Sequence, residues 1–263
     1  MLKKIRIVCI FTAIALILGC ISASAEPVNI DAFLISAGFP QELVNEMSNI
    51  QKELIYEQSA GKDVEFCGYD KTEFVITDEG ALVESSAISP RWIPIEPTDM
   101  TLSVFGVRVY VSTGDIYYTV YPSFKWHSYK KVANDTFAMS MYPGWEAIPG
   151  ERNFRLHLLN NNGQSVQYVD IAPSSAVSTG YSFKIPSNTG FMQALYAGYA
   201  YFNLDKVSTT ASPRISLYYA HDASTSLNAS YGISIGYGNI SITGNTDKIN
   251  TMSDNFEVEG LAQ

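Results

Sequence analysis

The chain has 263 residues, of which 17 are basic and 26 acidic, so its formal net charge at neutral pH is −9. This length is sufficient to build one or two hydrophobic cores. Because an acidic surface repels phosphate backbones, the composition argues against a nucleic acid as partner.

Residues 1–25 have the three parts of an export signal. Residues 3–6 carry three positive charges, residues 7–18 are apolar and uncharged, and small residues precede position 26. The apolar stretch is shorter than the roughly 20 residues that span a bilayer. The sequence therefore predicts a signal peptide that is cleaved after Ala25 and a secreted, extracellular protein.

The same segment contains a second processing motif. Residues 17–20 read Ile-Leu-Gly-Cys, which resembles the lipobox of bacterial lipoproteins, although Leu18 departs from the smaller residue that is usual there. The resemblance implies acylation of Cys20 and a lipid-anchored surface lipoprotein. Free secretion and lipid anchoring therefore both remain open, and the state of Cys20 distinguishes them.

Residues 26–62 predict an N-terminal helical segment. Apolar residues recur at helical spacing after Asn29, which is a good N-cap, and Gly38 ends this first helix. A second apolar stripe, residues 43–54, follows Pro40, a residue favoured in the first helical turn. We therefore expect two short helices whose apolar stripes pack on the rest of the protein.

Residues 63–99 predict a β-hairpin region followed by a proline-rich linker. Segments 72–77 and 81–85 flank the turn sequence Asp-Glu-Gly. Three prolines then surround Trp92 between residues 89 and 99. Neither a helix nor a central strand tolerates that density of proline, so we expect a linker there.

Residues 100–263 predict a β-rich domain, because apolar and polar residues alternate in short runs separated by Gly, Asn and Pro. The candidate strands are residues 105–111, 116–120, 137–142, 153–159, 165–171, 181–185, 191–204, 215–220 and 255–259. The predicted fold class is therefore mainly β: an antiparallel β-sandwich or barrel-like domain preceded by two short N-terminal α-helices.

Sequence spacing identifies no reaction. The chain has no H-E-x-x-H, no C-x-x-C, no phosphate-binding glycine loop and no D-x-[DN]-x-[DN]-G calcium loop. Carboxylates such as Glu146 and Glu151, in a predicted loop, can be nominated as a hydrolase pair, but such pairs are recognised by their separation in space. We predict no catalytic residue, no metal and no cofactor, and an extracellular hydrolase without a recognisable motif remains an alternative.

One basic segment interleaves cations with aromatic residues. Residues 125–131 read Lys-Trp-His-Ser-Tyr-Lys-Lys. Aromatic faces stack on sugar rings and lysines supply positive charge, so this pattern favours a sugar or an anionic ligand. We predict Trp126, His127, Tyr129 and Lys130 as ligand contacts. The alternative interpretation is a strand end followed by a solvated turn.

The segment 226–243 is the second distinctive feature. Apolar residues alternate with Ser, Gly and Asn, the parity shifts at residues 238–239, and no charged residue occurs from position 224 to 244. A membrane-inserting hairpin requires such a pattern, and a half-buried strand pair of a sandwich shows it as well. A core hairpin and a pore-forming, membrane-active hairpin are therefore both open interpretations.

The export signal, the acidity, the aromatic fraction of 13% and the missing catalytic spacings point to one class of function. They predict a secreted, non-enzymatic β-rich protein that binds a ligand at the cell envelope or extracellularly. The alternatives are the β-pore-forming protein and the hydrolase. Membrane contact is expected only for a pore-forming or lipid-anchored protein.

Overall fold

The computed structural model describes residues 28–76, 82–84, 99–128, 135–185, 195–222, 231–244 and 249–261. The predicted signal peptide, with its cleavage site after Ala25 and the alternative acylation at Cys20, lies outside these residues, as do residues 89–98 of the predicted linker. No helix within the described ranges is long and apolar enough to cross a membrane.

Three short helices form the N-terminal segment: α1 (Ile30–Ser36), α2 (Gln41–Glu46) and α3 (Asn49–Ser59). Where the sequence predicted one helix after Pro40, the structure has two. Two adjacent residues are the reason, because the extended backbone of Met47 ends the first helix and the Ser48 side chain caps the second. The Ser48 hydroxyl accepts from the Gln51 backbone N–H, and the Gln51 side chain accepts from the Ser48 N–H, which is a capping box.

The strands follow the helices in the chain. They are β1 (Asp63–Ile76), β2 (Leu82–Glu84), β3 (Met100–Tyr110), β4 (Ile116–Trp126), β5 (Asp135–Met141), β6 (Trp145–Leu159), β7 (Ser165–Asp170), β8 (Ser175–Val177), β9 (Gly180–Ile185), β10 (Leu195–Lys206), β11 (Arg214–Asp222), β12 (Tyr231–Gly236), β13 (Asn239–Gly244) and β14 (Ile249–Glu257). A short 3-10 turn, Glu259–Leu261, follows the last strand.

The larger sheet has seven strands in the order β2-β1-β3-β4-β10-β6-β7. β1 and β2, which lie within the segments predicted to form a hairpin, pair antiparallel with Val75 opposite Val83, and the predicted turn lies outside the described residues. β1 also pairs along most of its length with β3. Residues 63–76 therefore belong to the same sheet as the β-rich region that follows.

β6 is longer than the alternation predicted. Residues 145–151, expected to form a loop, belong to β6, and 145–147 pair with β10, with Trp145 opposite Lys206 and Ala147 opposite Leu204. The register shifts between Phe202 and Leu204, and Gly150 adopts a φ of +85°. Such an irregularity lets a strand continue past a proline that alternation alone would treat as its end.

The smaller sheet has five strands in the order β14-β11-β5-β9-β8, and it packs face to face with the larger one. Large aromatic side chains fill the space between them. The Phe137 ring of the smaller sheet lies 5.3 Å from Phe124 and 5.7 Å from Phe154 of the larger sheet. The pairing is antiparallel throughout the described strands, and the predicted antiparallel β-sandwich is confirmed.

The outer face of the larger sheet is covered by the three helices. Leu34, Val44 and Ile55 are buried in one cluster with Val107 and Tyr121 of the sheet. Each Å² of apolar surface that these side chains remove from water stabilises the folded protein by about 25 cal/mol. Both faces of the larger sheet are therefore packed, one against the smaller sheet and one against the helices.

The distinctive segment 226–243 contains β12 and β13, which pair with each other as a two-stranded sheet. The half-buried Ile233 and Ile242 pack with Ala138 and Ala220 of the smaller sheet. The turn is pinned there too, because the Gly238 N–H donates to a carbonyl of β5. In this structure the hairpin covers the smaller sheet, and membrane insertion would require that interface to open.

Candidate functional site

A cleft runs along the outer face of the larger sheet beside α3. It consists of two hollows, of about 610 Å³ and about 730 Å³, which share Ile50, Glu53, Ser165 and Tyr199 in their linings. The helices α2 and α3 and the turn between β6 and β7 form its walls, and strands of the larger sheet form its floor. We call it the helix-side cleft.

Tyr168 presents an exposed aromatic ring in the smaller hollow, with 54% of its surface accessible. The Arg155 guanidinium lies over this ring, 5.1 Å from its centroid, and the His157 ring centroid is 5.5 Å away. Arg155 is held in turn by Asp170 at 3.0 Å and by Glu57 at 3.7 Å. These contacts fix the phenol as an exposed surface on which a flat ligand face can stack.

His157 is buried behind that surface. Its ring centroid lies 5.5 Å from those of Tyr168 and Tyr199, and its Nδ1 is 2.8 Å from Ser165 Oγ. Burial, and to a lesser extent the Arg155 charge, lowers the pKa of His157 to about 4. The imidazole is therefore neutral near pH 7.

Acidification is expected to destabilise the protein through His157. Because the folded-state pKa of His157 is about 4 and its usual value is 6.5, the unfolded chain binds a proton in this range that the folded protein does not. The free energy of unfolding is therefore unaffected by protonation of His157 above about pH 6.5 and decreases as the pH falls toward 4. Urea unfolding at about pH 7, 5.5 and 4.5 should show a smaller loss of stability in His157→Gln than in wild type. Equal pH dependence in the two proteins would contradict this expectation.

Hydroxyl and amide groups line the floor of the larger hollow. Ser103 Oγ and Ser123 Oγ lie 2.8 Å apart, and Gln51 Nε2 donates to Ser123 Oγ at 3.5 Å. Beside them the Tyr69 ring stacks on Phe105, with ring centroids 4.6 Å apart. The larger hollow therefore offers hydrogen-bonding groups next to an aromatic surface.

The charged side chains of the larger hollow are partly paired with one another. Lys71 Nζ lies 3.4 Å from Glu73 Oε1 and 3.8 Å from Glu46 Oε2. Lys125, half-buried on β4, and Glu53, exposed on α3, make no hydrogen bond or ion pair with any residue that the structure describes. Among the described residues of the hollow, Lys125 is therefore the lysine, and Glu53 the carboxylate, that has no charged partner within 4 Å.

The structure makes Trp126 a core residue, which corrects its predicted role as an exposed stacking surface. Its exposed fraction is 0%, and its indole Nε1 donates to the Tyr219 hydroxyl at 3.2 Å. Strand alternation is the reason, since neighbouring side chains on β4 point to opposite faces of the sheet. Lys125 and His127 line the cleft, whereas Trp126 points into the sandwich.

The other predicted contacts have different outcomes. His127 lines the larger hollow, where its Nε2 lies 2.8 Å from Thr101 Oγ1. Burial, and then the Lys125 charge, lowers the pKa of His127, so its ring is neutral near pH 7. Tyr129 and Lys130 lie outside the described residues, and their role as contacts stays a prediction.

A buried polar network lies at one end of the core, and no sequence signal indicated it. Asp135 has no exposed surface and accepts hydrogen bonds from the Tyr196 and Tyr219 hydroxyls at 2.8 Å and 2.6 Å. His221 Nδ1 lies 3.0 Å from the same carboxylate. Burial, and then the Asp135 charge, raises the pKa of both tyrosines well above the usual value. None of these residues lines the helix-side cleft.

A G-x-S-x-G spacing occurs at residues 232–236, and the structure places it within β12. The nucleophile elbow of α/β-hydrolases needs a sharp turn from a strand into a helix, and this serine has neither. Of the nominated carboxylates, Glu151 accepts from Asn203 at 3.3 Å and Glu146 lies opposite Asp205. Among the residues that the structure describes, no group of three His, Cys, Asp or Glu side chains could hold a metal ion.

Comparison with known proteins gives no family. No protein-family model and no curated protein matches the chain. Among solved structures, the collagen-binding domain of the Erysipelothrix rhusiopathiae surface protein RspB is similar with a TM-score of 0.32 and 9% identity, over 71% of this chain and 56% of that one. The T6 backbone pilin of serotype M6 Streptococcus pyogenes gives a TM-score of 0.33 and 8% identity, over 72% and 60%. This chain therefore covers little more than half of the RspB domain.

Proposed function

We propose that the protein is a secreted, non-enzymatic binding protein that holds a saccharide chain in the helix-side cleft, at the cell envelope or outside the cell. The observation that carries the proposal is the exposed Tyr168 ring, fixed by Arg155 and His157 on the wall of a polar cleft. A sugar ring has an apolar face that stacks on an aromatic ring and hydroxyls that need polar partners. The cleft supplies both.

The hydrogen-bonding groups of the cleft support a saccharide ligand. Most of them are hydroxyls and amides, which both donate and accept, as sugar hydroxyls do. They are Thr101, Ser103, Ser123, Ser165, Asn49, Gln51, Asn153, Asn162, Gln164 and Gln167. A purely apolar ligand would displace water from those groups whose hydrogen-bonding capacity is not fully used within the protein, at a cost of about 1–3 kcal/mol for each buried group left unpaired.

The dimensions of the cleft favour a chain over a single sugar. Each hollow, of about 610 Å³ or 730 Å³, already has the volume of a site for one small molecule, which is about 300–1,000 Å³. The hollows meet at Ile50, Glu53, Ser165 and Tyr199, so one ligand can occupy both. The signal-like pattern of residues 1–25 supports an encounter with such a polymer outside the cytoplasm.

Tyr168→Ala is expected to weaken saccharide binding about tenfold, because stacking on one ring contributes about 1.5 kcal/mol. Tyr168→Phe should keep most of the affinity, since the ring remains. The measurement is titration calorimetry with oligosaccharides that the wild-type protein selects from a glycan array.

Tyr237→Ala provides the matched control. Tyr237 is also an exposed tyrosine, with 48% of its surface accessible, but it lies in the turn between β12 and β13 and does not line the cleft. Its replacement should leave saccharide affinity unchanged. An array on which no saccharide binds, or an equal loss in both alanine variants, would reject the proposed function.

A further inference from the structure

Most charged side chains in and around the helix-side cleft lie within 4 Å of an opposite charge. A ligand gains little by approaching a charge that already has a close opposite partner, because the two fields largely cancel. The paired groups are Arg155 with Glu57 and Asp170, and Lys71 with Glu46 and Glu73. Each group has one cation and two carboxylates, so its cation is already compensated and offers little to an anionic ligand group.

Lys125 and Glu53 differ from those pairs. Neither makes an ion pair or a hydrogen bond within the part of the chain that the structure describes, and both line the larger hollow. The Lys125 ammonium lies against the β6–β7 turn, where a Cβ on Gly163 would be 3.8 Å from Nζ. Glu53 stands where the two hollows meet. One ligand in the larger hollow can therefore contact both Lys125 and Glu53.

The opposite signs of Lys125 and Glu53 restrict which charged groups the ligand carries. A neutral saccharide that displaces water would leave both groups desolvated without a partner, which is unfavourable. A saccharide with one charge would satisfy Lys125 or Glu53 and leave the other unpaired. Only a ligand with both signs replaces the water around both groups by charge-assisted hydrogen bonds.

We propose that the saccharide bound in the helix-side cleft is zwitterionic, with a carboxylate that contacts Lys125 and an amine that contacts Glu53. This inference rests on the proposed function, since it names the chemical class of the saccharide. It also gives the two side chains distinct roles: Lys125 selects for the acidic group, and Glu53 selects for the unacetylated amine.

The test uses four oligosaccharides with one backbone: neutral, amine only, carboxylate only, and both. Calorimetry on the full chain should show the zwitterionic form binding about tenfold more tightly than either singly charged form, as expected for one charge-assisted hydrogen bond. Lys125→Met should remove the preference for the carboxylate and keep that for the amine. Glu53→Gln should do the reverse.

Lys184→Met and Glu42→Gln serve as matched controls, because both residues are exposed and neither lines the cleft. They should leave all four affinities unchanged. If the four saccharides bind wild type equally well, the zwitterion inference is overturned while saccharide binding stands. If none of the four binds and the glycan array is also blank, both proposals fail. The wild-type protein alone shows whether the zwitterionic saccharide is preferred, so the inference can be tested even if a variant fails to fold.

Discussion

Trp126→Ala is expected to lower the free energy of unfolding by about 3–5 kcal/mol and to leave saccharide affinity unchanged in whatever protein remains folded. The indole has no exposed surface, and its ring lies 5.9 Å from that of Tyr219 and 5.4 Å from that of His221. Truncation therefore leaves a cavity in the sandwich and removes the hydrogen bond to the Tyr219 hydroxyl. Urea unfolding measures the loss.

His127→Ala is the control for this prediction, because His127 is the next residue on the chain but is exposed on the cleft side of the sheet. Its removal deletes one hydrogen bond to Thr101 and should cost only about 1 kcal/mol. Similar losses of stability in the two variants would show that Trp126 does not lie in the core. A loss of saccharide binding in folded Trp126→Ala would restore its role as a contact.

Asp135→Ala is expected to destabilise the protein by a similar amount, about 3–5 kcal/mol, because it removes the common acceptor of a buried network. The hydroxyls of Tyr196 and Tyr219 and the His221 ring would then lack their partner in the interior. Asp135→Asn keeps one acceptor oxygen and should cost less, about 1–3 kcal/mol. The unfolding free energies of the two variants provide the comparison.

An exposed aspartate on β10 provides the reference for Asp135. Asp205→Ala removes the same side chain from a solvated position and should change stability by no more than about 0.5 kcal/mol. If Asp135→Ala is as mild as Asp205→Ala, the network contributes nothing to stability. Its three donors would then have found other partners.

The strands were predictable because alternation is a local property. Successive side chains along β4 point alternately into the core and toward the cleft. This alternation places Trp126 in the core and Lys125 and His127 on the cleft side. The hypothesis that grouped all the aromatic and basic residues of 125–131 on one surface disregarded that alternation. Two residues of that segment, Lys125 and His127, line the helix-side cleft.

The rest of the site depends on contacts between distant segments. Ser165 of β7 and Tyr199 of β10 are brought together by the strand order of the larger sheet, and Glu53 of α3 joins them because the helices pack over that sheet. Asp135 and His221 are brought together by the pairing of β5 with β11. Without several related sequences, no local pattern reports such pairings, and Tyr168 looks like any other strand tyrosine until its neighbours are known.

Because α3 both lines the cleft and packs on the larger sheet, ligand binding in the cleft is linked to the docking of this helix. The same helix that lines both hollows also buries Leu54 and Ile55 over the sheet. A ligand that touches both α3 and the strands binds only the arrangement in which the helix is docked, so by thermodynamic linkage its occupancy shifts the docking equilibrium in favour of that arrangement. If the proposed saccharide binds there, a higher saccharide concentration would hold the N-terminal helices more firmly against the larger sheet.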